Sequence, residues 1–256
     1  MLFVAKELYA ALIDLFATNR YRLVLLGLVL IAAMISISEL AVAKLFTQII
    51  LNEGSMSQTM LALLVTVFFL FFGLTRGGQF LQRLYRVRFF DNAFKASKNE
   101  LTGAKDNWRW SLAFELTNLL SSITQLGVIL VFFTYLNWSF GLLNLLIVLI
   151  VFQVYGKLFN KQIEAQRGFV VAKNNKAPIP NVVRIGTRIK SGETGILVSS
   201  IAMLILLAML IYLSYTGEIS KSNTIVLFFG LRMQNSNFSN ISTALMRFAR
   251  ARTHSE

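Results

Sequence analysis

From Ile196 to Tyr215 the chain runs through twenty residues without a charge. At a helical rise of about 1.5 Å per residue, that is the length needed to cross a hydrocarbon core of about 30 Å. Apolar stretches recur at about 21–45, 60–74, 112–136 and 140–155. The expected fold class is therefore all-α: a polytopic membrane protein of six transmembrane helices with cytoplasmic helical extensions, the sixth span at about 224–246. With 55% of its 256 residues hydrophobic, the chain reads as one transmembrane domain over 1–256. Any energy-coupling module must then come from another chain.

The sixth span is the anomalous one. Counted from Asn223, Arg232 lies roughly 13 Å down the helix, close to the midplane. A charge there costs at least about 2.5–3.5 kcal/mol on insertion scales, so it faces a bundle interior or a wet cavity. Gln234, Asn235, Ser236, Asn237, Ser239, Asn240 and Ser242 follow it, and no lipid-facing helix is composed this way. One reading makes Arg232, Gln234 and Asn235 part of a substrate pathway; the other makes them an ion pair or hydrogen-bond glue between helices. Two further spans carry polar faces, one with Ser36, Ser38 and Glu39, the other with Glu115, Ser121 and Gln125. Glu39 is either a cavity wall or a buried partner, within snorkelling reach of Arg232.

Charge follows topology. The net charge of +13 would suggest nucleic acid in a soluble protein. Here all 25 Lys and Arg except Lys44, Lys221 and Arg232 fall between alternate apolar runs or at the termini, the positive-inside pattern. Both termini are expected in the cytoplasm, with three short outer loops and two long basic excursions inside. No nucleic-acid partner is expected. The protein should be a multi-pass cell-membrane protein, in a bacterium the inner membrane. The absence of cysteine and the single His254 argue against redox or metal catalysis.

At the N-terminus, Val4, Leu8, Leu12, Leu15 and Phe16 form one helical stripe over 1–19, expected to be an interfacial amphipathic helix. The second span should continue as a helix past Arg76, with a turn near Gly103. Asn137-Trp138-Ser139 predicts a tight outer hairpin, and Pro178 and Pro180, the only prolines, should interrupt any helix arriving from the fourth span.

This order of features resembles the membrane-spanning domain of exporter-type ATP-binding-cassette transporters over nearly the whole chain. The shared marks are the amphipathic elbow, the six spans, the long inner excursions, the Asn137-Trp138-Ser139 turn, Arg188-Ile189-Lys190-Ser191-Gly192-Glu193 opening the fifth span, Gly217-Glu218-Ile219-Ser220 before the sixth, and the closing run from Ala249 to Glu256. A cavity lined by Arg232, Gln234, Asn235 and the polar faces of spans one and three would suit an amphiphile with an anionic or sugar-bearing head. The resemblance implies a permease subunit that exports or flips its substrate. It would pair with itself or with a related half-transporter in the lipid bilayer. It also implies a separately encoded ATPase, with ATP and magnesium held in that partner. Lys98, Glu100 and Lys105 on one excursion, and Pro178, Pro180 and Asn181 on the other, would be its coupling contacts; otherwise these tips are solvated basic loops attracted to anionic headgroups. The chain contains no G-x-x-x-x-G-K-S/T phosphate loop, so it has no ATPase site of that kind and no cofactor of its own. The excursions are also somewhat short for the family. The competing function is an ATP-independent assembly or scaffold subunit derived from this fold.

Overall fold

The computed structural model describes residues 2–51, 57–96, 103–177 and 179–255, apart from the side chain of Ala104. They form seven helices: α1 Leu2–Leu15, α2 Asn19–Ile50, α3 Gln58–Ala96, α4 Gly103–Leu136, α5 Trp138–Asn174, α6 Asn181–Tyr215 and α7 Lys221–Ser255. Helices α2 to α6 are long and apolar enough to cross a membrane. Each has 32 to 39 residues, about 48–58 Å at 1.5 Å per residue, so each is longer than a bilayer core is thick. Their outward faces agree. Leu26, Leu30 and Met34 on α2, Leu145, Leu146 and Leu149 on α5, and Leu197, Ile201, Leu204 and Ile205 on α6 are all exposed, a distribution that suits lipid.

Helix α7 does not reach that apolarity. It packs against α2, α4, α5 and α6, with α4 its most extensive partner, and its buried side runs from Val226 to Thr253. A helix carrying seven amide and hydroxyl residues between Gln234 and Ser242 finds hydrogen-bond partners only inside a bundle. The central position follows from that composition.

Close approach is built with small residues. Ser191, Gly195 and Ser199 recur every four positions on the buried side of α6, the small-xxx-small spacing that lets helix backbones meet. A methyl group at Gly195 would run into Ser242 Oγ and lie 3.1 Å from Ser242 Cβ. Ser242 Oγ instead donates to the Gly192 carbonyl at 2.8 Å.

The hairpins match their sequence signals. Asn137 alone separates α4 from α5, and its side chain caps α5 by accepting from the Phe140 N–H at 2.8 Å. Pro180 precedes α6, and Lys176 takes the left-handed conformation at φ 58°. The helix begun by the second apolar run continues unbroken through Arg76-Gly77-Gly78 to Ala96, and Gly103 opens α4. Helix α1 lays Val4, Leu8, Ala11 and Leu15 on the bundle. Its acidic residues meet distant basic ones: Arg252 contacts Glu7 at 3.5 Å and Asp14 at 2.6 Å, and Arg167 contacts Glu7 at 3.6 Å.

Candidate functional site

A polar cavity of about 540 Å³ opens between α2, α3, α4 and α7. It exists because α3 packs chiefly along α2 and reaches α4 through long side chains. Phe90 and Phe94 stack edge-on to Trp110, and Arg86 Nη1 donates to Asn118 Oδ1 at 2.6 Å. The gap left between them is lined by amides, hydroxyls and charges.

One end is built on Glu39. Gln79 Nε2 donates to its carboxylate at 3.0 Å, and Arg76 Nη1 donates to Gln79 Oε1 at 3.3 Å. Nearby, Gln82 and Gln125 donate to the α2 carbonyls of Leu28 and Ala32 at 3.1 and 3.3 Å. The other end carries Arg83, Arg86 and Arg247. Arg247 Nε lies 3.3 Å from Glu115 Oε1, and Arg86 sits over the Phe114 ring at 5.7 Å. From Gln79 to Arg86 the rise along α3 is about 10 Å, so the cavity has an acidic end and a basic end about two helical turns apart. Three arginines face it against one carboxylate. Ser121 Oγ and Arg86 Nε are left without a protein partner, so the wall holds more hydrogen-bonding capacity than the protein uses.

The sequence-derived pathway residues divide. Glu39, Ser121 and Gln125 line the cavity. Gln234 does not: it is 1% exposed and exchanges two hydrogen bonds with Asn144, itself 0% exposed, at 2.9 and 2.7 Å. Asn235 is half-buried; its carbonyl accepts from Ser239 and its Oδ1 has no partner. Arg232 is exposed and makes no ion pair or side-chain hydrogen bond among the described residues. Glu39 is held by Gln79, and no contact joins it to Arg232. Arg232 does share a stripe with Ser236 and Asn240, both of which line the cavity, so it extends that polar face by one turn beyond the mouth. Of the excursion residues, Lys105 is exposed at the start of α4, and Pro180 and Asn181 are exposed at the start of α6. Lys98, Glu100 and Pro178 lie outside the described residues.

Sequence reasoning missed the α3 wall: Gln79, Gln82, Arg83 and Arg86. Their spacing of three, one and three places all four on one helical face, a signal overshadowed by reading the segment as a topology marker. No protein-family model matches the chain, and no match is found among curated proteins.

Proposed function

We propose that this chain is the membrane-spanning permease subunit of an ATP-driven transporter of the exporter type, with α7 as its sixth span and an ATPase supplied by a separate chain. The observation that carries the reading is the open, two-ended polar cavity walled by α2, α3, α4 and α7 in a bundle whose α2, α5 and α6 present apolar residues outward. Ser236, Asn240 and Arg247 are exposed at its mouth and Arg232 stands one turn above. A second copy or related half facing this stripe would close the cavity into a pathway. Amide, hydroxyl and arginine side chains suit an amphiphile with an anionic or sugar-bearing head, the anionic group resting near Arg83, Arg86 and Arg247.

The test begins with purification of the full chain in mild detergent, mass spectrometry of what accompanies it, and an ATPase assay on the eluate. The expected result is an ATP-binding-cassette ATPase whose recovery drops when 98–105 or 178–181 is replaced. In reconstituted vesicles, Arg232→Ala should abolish transport while insertion and assembly stay intact, because its guanidinium supports no neighbour. A stable complex with other membrane proteins and no ATPase would replace the transporter reading with an assembly role.

A further inference from the structure

At the basic end of the bundle a second, smaller cavity of about 260 Å³ lies between α5, α6 and α7, lined by Gln166, Asn181, Arg184, Ile185, Arg188 and Arg250. Three guanidinium groups converge there, and none makes an ion pair among the described residues. Arg184 and Arg188 are one turn apart on α6, a spacing at which like charges repel. Arg250 is fixed over the Trp108 ring at 5.0 Å, and burial, followed by the charges of Arg188 and Arg184, weakens its hold on its proton. Such a cluster is unfavourable without an anion.

Two independent features point the same way. Gln166 is 2% exposed, makes no hydrogen bond among the described residues, and lines the pocket. Asn181 is the first residue of the 35-residue α6, whose preceding Pro180 supplies no side-chain cap, so free backbone N–H groups and the positive end of the helix dipole lie at the pocket's edge.

We propose that this pocket binds a phosphate group, with Arg184, Arg188 and Arg250 as charge partners and Gln166 as a neutral donor. Guanidinium forks match phosphate oxygens bidentately, and three of them suit a multiply charged anion better than a carboxylate. The group is carried either by a phospholipid headgroup at the membrane surface or by a soluble phosphate compound. The site is separate from the polar cavity and does not depend on the transporter reading.

The experiment measures thermal unfolding of the full chain, first in detergent with inorganic phosphate titrated against chloride at constant ionic strength. It is then repeated in phosphatidylcholine nanodiscs with and without phosphatidic acid. A saturable rise in Tm is expected in at least one arm, since a ligand that binds only the folded state stabilises it. A response to inorganic phosphate identifies a soluble source, and a response confined to phosphatidic acid identifies the headgroup. Arg184→Gln should weaken the response at least about tenfold, as loss of a charged hydrogen bond does. Gln166→Leu should weaken it with every charge retained, which decides the matter if Arg184→Gln fails to fold. Lys190→Gln, an exposed α6 residue outside the pocket, should respond as the wild type does. The proposal is overturned if neither probe raises Tm, if Gln166→Leu matches the wild type, or if Lys190→Gln loses as much as Arg184→Gln.

Discussion

Replacing Asn144 with Val, Gln234 with Leu, and both together isolates a reciprocal amide pair in the core. The two side chains exchange hydrogen bonds of 2.9 and 2.7 Å between α5 and α7, at 0 and 1% exposure. Either single change leaves the partner's amide with an orphaned donor and acceptor, each costing about 1–3 kcal/mol when buried. Interhelical hydrogen bonds in membrane proteins couple more weakly, about 0.6 kcal/mol on average and up to about 1.7. For two bonds, the expected coupling is roughly 1–3 kcal/mol, so the double variant should be more stable than the two single losses predict. The assay is unfolding of the detergent-solubilised chain by SDS titration, followed by circular dichroism. Additivity within about 0.5 kcal/mol, the margin for independent sites, would refute the pairing. Transport lost in Gln234→Leu at unchanged stability would return Gln234 to the pathway.

Two further outcomes follow from packing and protonation. Gly195→Val should destabilise the α6–α7 contact by about 1–3 kcal/mol, as overpacking does, whereas Gly127→Ala, with nothing within 4 Å of the added carbon, should be near neutral; the same SDS titration measures both. His254 stacks on Trp108 at 4.6 Å, and burial, then Arg250, Arg184 and Lys173, hold its proton affinity below the ordinary value. The unfolded chain then binds the proton more readily, so stability is full above about pH 6.5 and falls as pH drops from there through the lowered folded-state value. His254→Gln should flatten that slope in melting curves taken from about pH 7.5 to 5.

Helix positions were legible because apolar length, Asn137, Gly103 and Pro180 mark boundaries by local chemistry. The cavity was legible in part. Glu39, Ser121 and Gln125 stood out as polar residues in apolar spans and do meet. Depth along a helix could be counted for Arg232, but which way it faces depends on neighbours that the sequence does not place. Gln234, two residues on, lies about 200° around the same helix and joins the core, while Ser236, four on, returns to Arg232's side. The α3 wall was hidden for a different reason: arginine outside an apolar run serves topology and cavity lining with the same residue type. The pairing of Asn144 with Gln234 joins residues 90 apart, and no local spacing encodes it.

The contacts of α1 bear on how the protein is made. Glu7 and Asp14 leave the ribosome before their partners: Arg167 follows in α5, after three more helices, and Arg252 in α7, after five. Until α4 and α5 are made, α1 lacks the helices it packs against most, and its apolar stripe is available to the membrane surface. Helices α4 and α5 supply most of the floor on which α1 rests, and arrival of α7 adds the Arg252 guanidinium. Helix α1 is thus secured only by helices made after it, and its last ion-pair partner arrives with α7.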